Sequence, residues 1–237
     1  GNTVSSAWDN ILQGKSGAQT INLFDASDYA VTFSAPVKDF DPSHYISPRE
    51  ARRIDDFIQY GLIASLEALD DAELEITDEM APRAGAMVGS GIGGLPGIEV
   101  AYGTILNRGP GRVNPFFVPG SIINMVSGQL SIMRNLKGPN LATVTACASG
   151  THSIGLSARL ISYGDADIMV AGGAEMATCP SGIAGFAALR ALSTRNDDPT
   201  AASRPWDQDR DGFVLGDGAG VLVLEEYEHA KKRGAKI

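Results

Sequence analysis

The sequence predicts an α/β fold built on a mainly parallel, covered sheet, and three observations carry this prediction. Short apolar runs such as "AGAMVG", "LATVTA" and "DIMVAGGAEM" are typical of buried strands. Between them lie longer segments with helical periodicity, and strands that alternate with helices indicate parallel pairing. A hydrophobic content of 43% with 20% charged residues is that of an ordinary globular chain.

The clearest helix start lies in residues 46–72, "ISPREARRIDDFIQYGLIASLEALDDA". Ser47 can cap the helix, Pro48 suits its first position, and Glu50 completes a capping box with Ser47. We therefore expect one helix to begin at Pro48. Its spacing places three arginines on a shared face near the helix start. These are Arg49, Arg52 and Arg53.

The run "RAGAMVGSGIGGL", residues 83–95, predicts a buried strand that continues into a glycine-rich turn. Its glycines miss the register of the dinucleotide fingerprint, and no clean helix is expected after them, which disfavours a nucleotide site. Further along, Ser121 is predicted to cap a helix that stops at Gly138-Pro139. The elements expected after it are a buried strand at 141–146, a helix from about residue 148 to Gly164, a strand at 167–176, a helix at 180–192, and a strand with a basic helix within 210–234.

Composition disfavours several classes of function. A net charge of −9 argues against a nucleic-acid partner, and any anionic partner must dock on a local basic patch. No apolar run approaches the roughly 20 residues that span a bilayer, and no signal peptide is visible, so we expect a cytoplasmic protein without a membrane partner. The two cysteines fit neither a disulfide framework nor a metal motif. We expect no metal and no cofactor.

Cys147 is the residue that the sequence singles out for chemistry. It lies in "TVTACASGTHS", residues 143–153, between a β-branched run and a predicted helix start. Free backbone N–H groups and the positive helix end at such a turn favour thiolate over thiol, which is the environment of a nucleophile. The alternative is a buried structural cysteine. Cys179 lacks this context, and we assign it to packing.

The activating base is harder to place, because the chain has three histidines. His152 lies about 140° around a helix from Cys147, so it is a poor base for that sulfur. A hydrogen-bonded or interface histidine suits it better. His44 and His229 have no local catalytic context. The helix end is therefore the expected activator within this chain.

Three stretches resemble the elongating β-ketoacyl-acyl carrier protein synthases, type II in particular. They are "FIQYG", "TVTACASGTHSIGLSARLISYGDADIMVAGGAE" and "GFAALRALSTRNDDPTAASRPWDQDRDGFVLGDGAGVLVLEEYEHAKKRGA". The resemblance runs from end to end and covers the N-terminal half of that family's chain, without its first strand. It implies a thiolase-like fold, a layered α-β-α-β-α sandwich, of which residues 1–237 are the N-terminal synthase domain. It also implies a homodimer.

The resemblance further implies a reaction. In the family, the cysteine that matches Cys147 takes an acyl group from acyl carrier protein as a thioester. Malonyl carrier protein then binds and loses CO2, and the carbanion attacks the thioester. Two histidines, a lysine and a Gly/Phe-rich loop of the C-terminal half assist, the loop completing an oxyanion hole with the cysteine's N–H. That half's His-Gly-Thr and Asn-Ser-Phe-Gly-Phe-Gly-Gly motifs do not occur here.

Other positions carry over from the resemblance one by one. Ile92 matches the residue at the end of the acyl pocket, and Phe186 matches an aromatic that lines it; ordinary core packing is the alternative for both. Basic positions near the pocket mouth match Arg49, Arg52, Arg53 and Arg190. A solvated helix face is the usual role of such charges, but an arginine-rich face on an acidic protein suits an anionic carrier protein.

We therefore expect a condensing acyltransferase of fatty-acid elongation. The alternatives are a non-catalytic subunit that resembles a chain-length factor, a cysteine hydrolase of acyl thioesters, and an inactive half-enzyme fragment. Cys147 counts against the first alternative, because such subunits usually lack this cysteine. Both ends of the sequence also read as cut from a longer protein.

Overall fold

The computed structural model describes residues 1–237, which fold into two compact units. The first unit comprises residues 1–41 and 176–218, and the second comprises residues 42–175 and 219–237. The assignment of residues 1–237 to one domain stays a prediction. No helix is both long enough and apolar enough to cross a membrane.

Helices and strands alternate along most of the chain. The helices are α1 (Val4–Leu12), α2 (Pro48–Ala51), α3 (Asp56–Asp71), α4 (Leu95–Arg108), α5 (Phe117–Ser121), α6 (Met125–Arg134), α7 (Ser149–Ser162), α8 (Pro180–Ala188) and α9 (Tyr227–Lys232). The strands are β1 (Gln19–Thr20), β2 (Phe33–Ser34), β3 (Ala84–Gly89), β4 (Asn140–Leu141), β5 (Ile168–Glu175) and β6 (Gly218–Glu225).

The second unit is built around a sheet with the strand order β4-β3-β5-β6. Strand β3 pairs in parallel with both β4 and β5, and its register with β5 runs from Ala84↔Ile168 to Gly89↔Gly173. All of β3 and most of β5 are buried. Cover on both faces explains the continuous apolar runs of these strands. The α/β prediction with parallel pairing is confirmed.

Helices lie on both faces of this sheet. Successive strand residues point to opposite faces. A Cβ atom built on Gly61 of α3 would lie 3.1 Å from Cβ of Ala174, and one built on Gly173 would lie 3.0 Å from Cα of Gly150 in α7. Because Gly173 and Ala174 are neighbours in β5, α3 and α7 cover opposite faces of that strand.

The first unit contains the antiparallel pair β1–β2 and helix α8. Helix α1 also belongs to it and buries no residue. One cluster of buried apolar side chains forms the core of this unit. Its members are Ile21, Ala26, Val31, Phe33, Ala177, Ile183, Leu192, Ala202 and Leu215.

The single helix predicted from Pro48 is in fact two helices. The capping box of Ser47 with Glu50 is confirmed, but α2 ends at Ala51. Asp55 then caps α3, and its N–H donates to the carbonyl of Gly120 at 2.8 Å. Asp is a strong N-cap residue and starts a second helix inside the periodic pattern.

Three other local predictions were wrong. Ser121 ends α5 and does not cap the next helix, which begins at Met125. Of the buried strand predicted at 141–146, only Leu141 belongs to β4, and Val144 is 55% exposed. Helix α4 follows the glycine-rich turn, where no clean helix was expected. An apolar run shows the tendency to be buried, but it does not show which neighbour covers it.

Candidate active site

Cys147 lies on an exposed turn, two residues before α7 begins at Ser149. The preceding residue, Ala146, has a φ of 51°, in the left-handed region that a non-glycine residue rarely adopts. Such a conformation persists only where the surroundings hold it, and it is common next to functional groups. The turn presents Cys147 close to the N-terminal, positive end of the α7 dipole. The predicted strand-to-helix position of Cys147 is therefore half right, since a turn replaces most of the strand.

The side chain of Ser149 holds this turn. Its hydroxyl accepts the N–H of Thr145 at 2.9 Å and donates to the carbonyl of Ala146 at 2.7 Å. Ser149 is buried, whereas Cys147 is exposed. One bond is made to the residue before Ala146 and the other to the carbonyl of Ala146 itself. Together they restrain the backbone of Ala146 in its left-handed conformation.

The three histidines each have a neighbour other than Cys147. Nδ1 of His152 lies 2.7 Å from Oγ1 of Thr145, which agrees with the interpretation of His152 as a hydrogen-bonded residue. His229 lies 2.6 Å from a carboxylate oxygen of Glu225, and the ring of His44 packs against a tyrosine. None of the histidines forms a hydrogen bond with Cys147. No group of His, Cys, Asp and Glu side chains is arranged to hold a metal ion.

Ile92 lies near the Cys147 turn in the second unit. A Cβ atom built on its neighbour Gly91 would be 3.5 Å from Cα of Ala146. The Ile92 side chain is 37% exposed and lines a cavity of about 440 Å³. The other residues around this cavity are mostly apolar. The apolar ones are Ile98, Ile122, Ile123, Ala142 and Val144, and the polar ones are Ser121 and Asn124. Ile92 is therefore a cavity-lining residue and not part of the closed core.

Phe186 lies in the first unit, on α8. Its ring packs edge to face against Phe213, with the centroids 5.5 Å apart. Phe186 is partly buried against the apolar core of this unit. Cys179 is buried at the start of the same helix, as the packing interpretation predicts.

The predicted arginines do not share one helix face. Arg49 belongs to α2, Arg52 caps its C-terminus, and Arg53 lies beyond it, with its guanidinium 4.3 Å from the ring centroid of Phe116. The shared-face prediction was wrong because α2 is only four residues long. Arg190 lies in the first unit, just after α8.

A second cavity, of about 410 Å³, lies beside this part of the second unit. Arg52 and Arg53 line it together with Arg108 and Arg112, which sequence reasoning missed. The stretch that carries the last two, "NRGPGR", has the composition of an ordinary Gly/Pro-rich loop. Two basic residues, one ending a helix and one in the turn after it, are a weak signal until the fold places them beside other arginines.

Comparison with known proteins identifies the relatives of this chain. The family model "Beta-ketoacyl synthase, N-terminal domain" matches residues 1–230. A 3-oxoacyl-(acyl-carrier-protein) synthase 2 of Vibrio harveyi is 60% identical over 237 residues, which are 100% of this chain and 57% of that protein. The chain thus spans little more than half the length of this relative.

Two solved structures share the fold. A beta-ketoacyl synthase from Burkholderia phymatum matches with a TM-score of 0.86 and 34% identity, over 97% of this chain and 58% of its own. A ketosynthase in complex with a type II PKS acyl-carrier protein, bound to the hexaketide, matches with a TM-score of 0.85 and 30% identity, over 99% of this chain and 56% of its own. The thiolase-like fold class expected from the sequence is confirmed.

Proposed function

Because the chain belongs to the beta-ketoacyl synthase family through its N-terminal domain, we propose that it supplies the nucleophile of a 3-oxoacyl-(acyl-carrier-protein) synthase. Cys147 carries this function. It is the exposed cysteine, it lies two residues before α7, and a buried serine holds the turn on which it lies. This arrangement supports a nucleophilic role, because the thiolate form of a cysteine attacks thioesters.

The reaction proceeds in two steps. In the first, the Cys147 sulfur attacks the carbonyl of an acyl carrier protein thioester, a new S–C bond forms, and the carrier thiolate leaves and takes up a proton. In the second, malonyl carrier protein loses CO2, and the resulting carbanion attacks the acyl carbonyl and releases the Cys147 thiolate. The backbone N–H of Cys147 contributes to the oxyanion hole, and the C-terminal half of the enzyme supplies the remaining groups.

The residues that match the family's pocket and docking positions bind the acyl chain and the carrier protein. Ile92 lines an apolar cavity near the Cys147 turn, which supports its place along the path of the acyl chain. Phe186 serves as a second pocket residue. Arg49, Arg52, Arg53 and Arg190 dock the acidic carrier protein. The enzyme works as a cytoplasmic homodimer.

Mass spectrometry of the full-length protein after incubation with a long-chain acyl carrier protein tests the proposal. A condensing enzyme gains the mass of one acyl group, and the adduct persists until malonyl carrier protein is added. A non-catalytic subunit gains no mass, and a thioester hydrolase releases free acid without a lasting adduct. Either of the last two results would reject the proposed function. Cys147→Ala is the matched control and removes the adduct.

A further inference from the structure

The carboxylate of Glu175 is surrounded by hydrogen-bond donors of the glycine-rich loop, residues 90–93. It accepts the N–H of Gly91 at 2.7 Å, that of Ile92 at 3.2 Å and that of Gly93 at 3.3 Å. The hydroxyl of Ser90 donates to it at 2.9 Å. Hydrogen bonds to an ionised acceptor are stronger than neutral ones. One side chain therefore holds four consecutive residues of this loop.

The glycines and Ser90 of the loop allow its backbone to approach the Glu175 carboxylate closely. A Cβ atom at Gly91 would lie 2.7 Å from Oε2 of Glu175, so any side chain at this position would displace the carboxylate. Gly93 has a φ of 76°, a conformation that favours glycine. The hydroxyl of Ser90, itself buried, also accepts the N–H of Gly93 at 3.1 Å and closes the loop on itself.

The side chain of Glu175 points to the face of the sheet that α7 covers. It is the last residue of β5, and alternate strand residues point to the same face, so its side chain shares the face of Gly173. That face packs against Gly150, in the first turn of the helix that follows Cys147. A Cβ atom built on Gly91 would approach both Oε2 of Glu175 and Cα of Ala146, so the loop meets the carboxylate next to the Cys147 turn.

We propose that Glu175 is a positioning residue for chain-length selection, because its carboxylate fixes the loop that places Ile92 beside the Cys147 turn. This role rests on the proposed function and adds a residue to it. Glu175 does not touch the acyl chain and acts through Ile92. When the carboxylate is lost, Ile92 moves and obstructs long acyl chains, whereas short chains end before they reach it.

The test compares Glu175→Gln with the wild type in the full-length enzyme. Glutamine keeps the size of the side chain, but it removes the charge and turns an NH2 group toward the loop N–H groups. The matched control is Glu226→Gln, because Glu226 directly follows strand β6 and accepts one backbone N–H, that of His229, at 2.7 Å. The main readout is the rate of Cys147 acylation by a long-chain donor divided by the rate with a short-chain donor.

This ratio should fall about tenfold in Glu175→Gln, the size expected when a charge-assisted hydrogen bond is lost, and should stay within about twofold in Glu226→Gln. In an Ile92→Ala background, Glu175→Gln should change the ratio by less than about twofold, because two residues on one path are not additive. A general loss of stability would lower both rates and leave the ratio unchanged. An unchanged ratio, or an equal effect in both backgrounds, would overturn the proposal.

Amide hydrogen exchange separates this proposal from the proposed function. The amides of residues 91–93 should exchange about tenfold faster in Glu175→Gln than in the wild type. Unchanged exchange would refute the role of the carboxylate even if the enzyme is active. A wild type that accepts no acyl group would reject the proposed function and the chain-length role together, while exchange would still report whether Glu175 holds the loop. If Glu175→Gln does not fold, Ser90→Ala must lower the ratio by a smaller factor, and an unchanged ratio would then overturn the proposal.

Discussion

Oδ2 of Asp55 accepts the N–H of Gly97 at 3.0 Å, and the same carboxylate caps α3. Gly97 lies in the first turn of α4, so one acidic side chain joins the starts of two helices. Burial raises the pKa of Asp55 to about 6, against the lowering effect of its bonds to the N–H groups of Gly97 and Phe57. The fold keeps this carboxyl away from the water that would otherwise stabilise its negative charge.

This relationship predicts how stability depends on pH. The pKa of Asp55 is raised on folding, so its contribution to stability is full below pH 3.8 and is lost as pH rises through about 6. Asp55→Asn removes the titration and keeps an oxygen acceptor. Between pH 4 and pH 8 the free energy of unfolding of the wild type should fall by roughly 1–2 kcal/mol relative to that of this variant; solvent screening of the partly exposed carboxyl keeps the difference this small. Urea unfolding of both proteins across this range measures the difference, and parallel pH curves would contradict the prediction.

The arginines of the second unit should control carrier binding. Replacing Arg49, Arg52 and Arg53 by Glu should weaken carrier-protein affinity at least about tenfold at low salt, because rim charges steer and orient an anionic partner. The effect should shrink as salt rises. The melting temperature should fall only slightly, since Arg49 and Arg52 are exposed and only the half-buried Arg53 loses a contact, that with the ring of Phe116.

The control triple variant replaces Lys137, Lys231 and Lys232 by Glu and changes the net charge equally. Lys137 and Lys231 already pair with Asp78 and Glu228 elsewhere on the second unit. This variant should bind the carrier nearly as the wild type does. Equal weakening by the two variants would assign the effect to net charge alone and remove these three arginines from the docking proposal.

Ile92→Phe tests the acyl path. The larger ring should occupy part of the apolar cavity that Ile92 lines, so long donors should fail to acylate the enzyme while short donors still react. Ile58→Phe is the control, because Ile58 is fully buried in α3. It should lower the melting temperature and reduce acylation by all donors alike. If Ile92→Phe behaves in this way as well, Ile92 is only a core residue.

Apolar runs predicted the central strands well, because burial on both faces leaves a mark in the sequence of each strand. The runs around Met87 and Val170 became β3 and β5. The run around Val144 is an exposed segment instead, because an apolar run does not by itself specify that the same chain buries it. Local capping rules located Ser47 correctly but overlooked Asp55, whose neighbours continue the helical pattern.

The candidate site was predictable only in part. Cys147 stood out because its flanking residues mark a turn before a helix. Glu175 did not stand out, since its donors lie more than 80 residues earlier in the chain and are backbone groups that any sequence contains. The positive φ of Ala146 was equally hidden, because alanine gives no sign of a left-handed conformation.

Cys147 is proposed as the group that accepts the acyl chain, and differential alkylation tests this role. The protein is treated briefly with iodoacetamide near neutral pH, with and without prior incubation with an acyl donor, and its peptides are mapped by mass spectrometry. Cys147, exposed beside the positive end of α7, should be alkylated rapidly and should be protected by prior acylation, while buried Cys179 stays unmodified. Preferential labelling of Cys179, or labelling of Cys147 that an acyl donor does not prevent, would rule out this role for Cys147.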